Sequence, residues 1–182
     1  MRLALPILAF AVLAGPASAA PCGGDFGAFV TAMKAEAIAA GQPADVVDRF
    51  FDGVSQDGAV LKADRSQGVF RKSFLEFSKS LISKDRMARG LAKAQEWDAV
   101  FQRAEAEFGV PRGILLAFWA FETDFGAVQG DFNTRNALVT LAHDCRRPEL
   151  FQPQVLAAME LFRLGEFDQT TTGAWAGEIG MV

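Results

Sequence analysis

Apolar residues recur along most of this chain at three- and four-residue intervals, the period of helices that bury one face. Phe26, Phe29, Val30 and Met33 share such a face between Asp25, a residue type that caps helices, and Gly41, one that stops them, so a helix is expected to run to Ala40. Pro43 suits the first turn of a short helix carrying Val46, Val47, Phe50 and Phe51. Gly53 to Gly68 is polar and contains several glycines, which predicts a looser stretch. Val69 to Ile82 regains the helical period through Phe70, Phe74 and Phe77. A long amphipathic helix is then expected from about Lys84 to Phe108, broken near Gly90, with Trp97, Val100, Phe101 and Phe108 on its buried face.

Gly109-Val110-Pro111 marks a boundary, because glycine ends one helix and proline opens the next. The helix expected beyond it, Arg112 to Phe125, is different in kind. It is apolar without interruption from Ile114 to Phe121, and a helix apolar all round is expected to be buried all round. Gly126 ends it. Asn133 or Thr134 can cap a short helix through Ala142, and Pro148 opens another that turns Leu150, Phe151, Val155, Leu156, Met159 and Phe162 inward and stops at Gly165. Thr170 to Val182 reads as a loop with tight turns, and strand-like alternation is missing outside that tail. The pattern therefore predicts a mainly α fold in one compact domain, with an N-terminal helical portion from Asp25 to about Ala92.

The first residues follow another logic. Arg2 precedes an apolar run from Leu3 to Ala14, too short for the ~20 residues of a membrane helix. Gly15-Pro16 breaks the run, and Ala17-Ser18-Ala19 supplies the small residues of a cleavage site. Residues 1–20 are thus expected to be an export leader, cut after Ala19 or Ala20, and residues 21–182 the mature domain. A buried N-terminal helix is the alternative. Lipidation at Cys22 would require a small residue directly before it, and Pro21 stands there, so a non-lipidated mature form is expected. The only other cysteine is Cys145. In an oxidising compartment the two are expected to form one disulfide, the alternative being two free thiols.

Composition narrows the chemistry. An apolar content of 51% excludes disorder, and a net charge of −4 without a basic stripe argues against nucleic acid as a partner. The single histidine, His143, cannot by itself supply a metal site and reads as a helix-end residue. Neither a serine-nucleophile elbow nor a phosphate-binding glycine loop occurs, so no metal and no cofactor are expected. The residue that packing does not account for is Glu122. It follows the apolar run directly, where desolvation and the negative end of the helix dipole should raise its pKa, as a glycosidic proton donor requires. Trp119 and Phe125 flank it and can stack on sugar rings. The competing reading is a surface or arginine-paired glutamate. Asp124 is a poor second carboxylate, because two residues along a helix it faces elsewhere.

The segment from Phe108 to Gly126, in which Gly109-Val110-Pro111 leads through an apolar helix to Glu122-Thr123-Asp124-Phe125-Gly126, resembles the catalytic helix of the B-type lytic murein transglycosylases. Further resemblances follow in that family's order. They are Asp64-Arg65-Ser66-Gln67, Arg86 to Gly90, Asn136 to Leu141, Arg146-Arg147-Pro148-Glu149-Leu150-Phe151, and Gly173 to Met181, the last like the start of an Ala-Gly-x-x-Gly motif. The family motif continues past Gly180 into a Gln-x-x-Pro-Ser stretch, whereas this sequence stops at Val182, so the resemblance implies a domain incomplete at its C-terminus. It also implies a lysozyme-like, goose-type helical fold and cleavage of the MurNAc-β-1,4-GlcNAc bond of peptidoglycan by one glutamate, Glu122, with formation of 1,6-anhydroMurNAc. Arg146, Arg147, Trp119, Phe125 and Gly177 become the substrate-binding candidates, with solvated arginines as the alternative for the first two and a core role expected for Phe151. A periplasmic monomer acting on glycan strands, alongside proteins of cell-wall synthesis or remodelling, is the setting so implied. A non-catalytic peptidoglycan-binding module and a hydrolytic muramidase on the same scaffold remain the competing functions.

Overall fold

The computed structural model describes residues 20–178, with the backbone alone at 69 and 70. Nine α-helices are present among the described residues: α1 (Phe26–Ala39), α2 (Ala44–Phe51), α3 (Gly58–Arg65), α4 (Phe74–Leu81), α5 (Lys84–Glu96), α6 (Asp98–Phe108), α7 (Arg112–Thr123), α8 (Thr134–His143) and α9 (Pro148–Leu164). Two short strands, β1 (Phe132–Asn133) and β2 (Thr172–Gly173), pair antiparallel with Phe132 opposite Gly173 and Asn133 opposite Thr172. The expected leader lies outside the described residues apart from Ala20.

One hydrophobic core is built from α1, α2, α3, α8 and α9, and these helices form the body of the molecule. Phe29 and Met33 of α1, Val47 and Phe50 of α2, Val60 of α3, Val139 and Leu141 of α8, and Val155 and Met159 of α9 are fully or almost fully buried. Phe50 packs edge-on against Phe51 and Phe162, with ring centroids 5.2 and 5.6 Å apart. Helix α8 runs through the middle of this body, and even its Arg135 is buried. That guanidinium donates to the carbonyl oxygens of Phe50 and Asp52, supplying donors that the last turn of α2 otherwise lacks. Cys22 is disulfide-bonded to Cys145, 123 residues away, which ties the segment before α1 to the start of α9.

Helices α5, α6 and α7 pack on one another and contribute nothing to that core. With α4 they form an arm whose burial is sparse: Ala94, Phe101, Ala120 and Thr123 are its buried side chains among the described residues.

Several expectations need correction. The loose stretch Gly53 to Gly68 contains α3, held because Asp57 caps it by accepting from Ala59 and Val60, and because Val60 and Asp64 are buried. The expected helix Val69 to Ile82 is a 3-10 turn (Gly68–Arg71) followed by α4, separated by a capping box in which Ser73 and Glu76 bond each other's backbone N–H. None of α4 is buried, and Phe74 is 79% exposed. The break in the long helix falls at Trp97, not Gly90, which sits inside α5 against the Phe125 ring. Of the face expected to be buried there, Phe101 is buried while Trp97, Val100 and Phe108 are exposed. Strand β1 lies outside the tail to which strand-like structure was assigned.

Candidate active site

Helix α7 starts from Pro111 and ends at Thr123, two residues earlier than its apolar pattern predicts. Asp124 and Phe125 both have left-handed backbone (φ 51° and 62°), and Gly126 follows at φ 83°. Three such residues in succession, two of them not glycine, store backbone strain that the surroundings must hold. Thr123, itself buried, is one clamp: its hydroxyl accepts from the Gly126 N–H at 3.0 Å. Asp124 is the other. Its carboxylate accepts from Arg86 Nε at 3.1 Å and from Arg89 Nη2 at 2.7 and 2.9 Å, and Arg89 Nη1 also reaches its carbonyl at 3.2 Å. Hydrogen bonds from Arg89 and then Arg86 hold the Asp124 carboxyl below its ordinary value, so it is an ionised structural anchor rather than a proton donor.

Glu122 stands just before this turn. Its carboxylate is solvent-exposed and, among the described residues, is tied up by no hydrogen bond or ion pair. The expected burial of the whole helix is therefore overturned. Ile114, Phe118 and Phe121 are each more than half exposed, and Ala120 and Thr123 are the buried residues of α7. The burial expected for Glu122 is absent, since α5 and α6 cover one side of α7 only. Of the two neighbouring carboxylates, Asp124 is paired with two arginines, and Glu122 has no partner among the described residues. The arginine-paired alternative thus describes Asp124 and not Glu122.

The aromatic flank is present. The Trp119 and Phe125 rings meet edge to face, 5.7 Å between centroids, with Lys93 Nζ 5.7 Å from the Trp119 centroid and the Arg89 guanidinium 5.6 Å from that of Phe125. Phe125 also lines an apolar groove of about 450 Å³ with Leu81, Arg86, Leu116 and Phe121. Arg147 and Gly177 lie in a second cleft, of about 550 Å³, with Trp175, Glu178, Leu150 and Gln154. The candidate residues are therefore divided between the end of α7 and the cleft beside α9, and Glu122 and Trp119 line neither of the two spaces.

Gly177 has φ 78°, and a Cβ there would collide with the Leu138 side chain, so only glycine lets the tail turn press onto α8. Ile179 to Met181 of the tail motif lie outside the described residues. Arg146 and Arg147 have a partner that sequence reasoning missed. Asp64 of α3, its side chain 1% exposed, receives Arg146 Nη2 at 2.5 Å and Arg147 Nη2 as well. They are thus neither simply solvated nor free. The Arg147 guanidinium also lies over the ring of buried Phe151, 5.1 Å from its centroid, consistent with a core role for Phe151. Arg86 and Arg89 were also missed as residues with a role. The signal in the sequence is two cations at i, i+3 on α5, but an anion partner 35 residues downstream leaves no local pattern.

Fold and site together define a helical, lysozyme-like domain of the kind found in lytic transglycosylases. Residues 25–182 match the family model of the transglycosylase SLT domain, and the chain belongs to that family. It is 26% identical over 138 residues, 75% of this chain and 37% of the relative, to membrane-bound lytic murein transglycosylase B of Escherichia coli (strain K12). Among solved structures it resembles SltB3 from Pseudomonas aeruginosa in complex with NAG-anhNAM-pentapeptide, at 31% identity and TM-score 0.78 over 86% of this chain and 42% of that one. Soluble lytic transglycosylase SltB1 of the same organism matches at 25% identity and TM-score 0.71, over 82% of this chain and 52% of that one. The chain thus spans about half or less of the length of each of these proteins.

Proposed function

We propose that this chain carries the acid/base centre of a periplasmic peptidoglycan lytic transglycosylase, with Glu122 as the catalytic carboxylate. The observation that carries the reading is the contrast at the end of α7: Asp124 is locked by two arginines, while Glu122 beside it is exposed at the head of a strained turn and has no partner among the described residues. Family membership and the resemblance to a protein solved with an anhydromuramyl ligand support it.

In the proposed reaction, protonated Glu122 gives its proton to the oxygen bridging MurNAc and GlcNAc, and the C1–O bond breaks. The carboxylate then takes the proton of the MurNAc C6 hydroxyl as that oxygen bonds to C1. The proton is returned, no water is consumed, and one strand end is a 1,6-anhydro ring. A single carboxylate suffices because the nucleophile belongs to the substrate, an exception to the two-carboxylate scheme of most glycosidases. Trp119 and Phe125 offer ring faces to sugars on one side. Arg147 and Gly177 line a cleft in which lactyl or peptide carboxylates can be held, with Arg146 adding positive charge. The disulfide supports an oxidising compartment and occupies the Cys22 thiol that lipidation would need.

The experiment is digestion of purified peptidoglycan followed by mass spectrometry. Ends lighter by one water identify the transglycosylase, and hydrated reducing ends identify a muramidase. Retained strand binding without any product from this chain, or from one extended to the length of its relatives, identifies a binding module.

A further inference from the structure

Ala20 is seated in the body of the protein. It is 5% exposed, its backbone nitrogen lies 3.0 Å from Glu36 Oε2 on α1, and its carbonyl accepts a 2.8 Å hydrogen bond from Nε2 of buried Gln152 on α9. Cys22 is bonded to Cys145, and Gly23 donates to the His143 carbonyl at 2.8 Å. Pro21, between these anchors, is exposed. A carboxylate accepts from a peptide N–H, and the same position serves an ammonium with the added attraction of opposite charges.

We propose that the export leader is cut between Ala19 and Ala20, and that the α-ammonium so formed on Ala20 docks on Glu36 and fastens the mature N-terminus across α1 and α9. The proposal rests on the leader reading and goes beyond it by choosing between two bonds. Cleavage after Ala19 uses Ala17 and Ala19 as the small residues, and cleavage after Ala20 would use Ser18 and Ala20, so the sequence pattern admits both. Hydrolysis of the 19–20 bond by a signal peptidase consumes one water, leaving a carboxylate on Ala19 and an ammonium on Ala20. The new charge then lies within hydrogen-bonding distance of Glu36, while the methyl group and carbonyl of Ala20 keep their places. Hydrolysis of the 20–21 bond would strip Glu36 and Gln152 of these contacts, vacate a buried methyl site, and leave the new charge on exposed Pro21.

Production of the whole chain in an exporting bacterial host, with N-terminal sequencing and intact mass of the exported product, tests the cut. A start at Ala20-Pro21-Cys22 is expected. A start at Pro21 overturns the proposal and leaves the leader reading standing, whereas an uncut chain overturns both, and a start at Ala19 or earlier overturns the choice of bond. Docking is tested on the exported protein by acetylating its α-amine, which removes the charge but keeps an N–H donor. Acetylation is expected to lower Tm by about 3 °C in the native sequence and by less than about 1 °C in Glu36→Gln. Equal shifts in the two proteins overturn the docking.

Discussion

Helices α7 and α8 follow one another in the chain and have opposite surroundings. Helix α8 carries threonines, an arginine and a histidine, yet all of its residues except Asn136 are buried. Helix α7 is apolar from Ile114 to Phe121, yet Phe118 and Phe121 are more than half exposed. The same opposition separates the body from the arm. The body surrounds its central helix with four others, so polar groups inside it depend on partners within the protein, and Arg135 Nη1 finds them on the end of α2. The arm has too few layers to enclose α7. Burial is thus set by how many neighbours a segment has and only secondarily by its hydropathy. Buried side chains are concentrated in the body, and the candidate acid/base residue stands in the arm.

The largest effect that would break this division is on activity. Glu122→Gln keeps shape and removes proton transfer, and anhydromuropeptide release by the active enzyme is expected to fall about 10³-fold with Tm unchanged. Near-native release from that variant would remove Glu122 from the mechanism. In the body, Phe50→Ala empties a fully buried aromatic site and is expected to cost about 4 kcal/mol in denaturant unfolding. Reduction of Cys22–Cys145, which closes a loop across most of the body, is expected to cost about 3 kcal/mol and to speed amide exchange around residues 20–24 but not in α5 to α7.

Asp124 sharpens the comparison inside the arm. Its folded pKa lies below the ordinary ~3.9, so the stabilisation from Arg89 and Arg86 is fully present above that value and is lost as pH falls through the folded pKa. Protection against amide exchange at the end of α7, relative to the unstructured rate at each pH, should therefore fall in acid below about pH 4, and Asp124→Asn should show that low protection at neutral pH with little further acid dependence. An unchanged acid profile in the variant would mean that another group clamps the turn. The smallest effect belongs to Phe74→Ser on α4, expected within about 0.5 kcal/mol because the ring is already in water. A cost close to that of Phe50→Ala would show that the arm has a core of its own.

Features encoded within a few residues were legible before the structure. The Asp25 cap, the Gly109 and Gly165 stops, the faces of α1 and α2 and that of α9 apart from Leu150, which is expected inward but is exposed, follow from local rules that need no distant partner. Glu122 stands out as a candidate for the same reason, since its motif is a contiguous stretch of sequence whose threonine closes its own turn. The break at Trp97 was not legible, because no glycine or proline marks it. Nor was α3, whose glycine-containing sequence becomes a helix once Val60 finds the core and Asp64 finds Arg146 and Arg147.

By itself, then, the amino-acid sequence determined the helical class, most helix boundaries, the pair of cysteines and the position of the candidate carboxylate, because caps, periodicity and short motifs act over one or two turns of chain. The tertiary structure alone decided which apolar faces are covered, that Asp124 is locked while Glu122 is exposed, and that Arg146 and Arg147 grip a buried aspartate. The ion pairs join side chains 35 or more residues apart, and such long-range contacts leave no periodic trace in the chain.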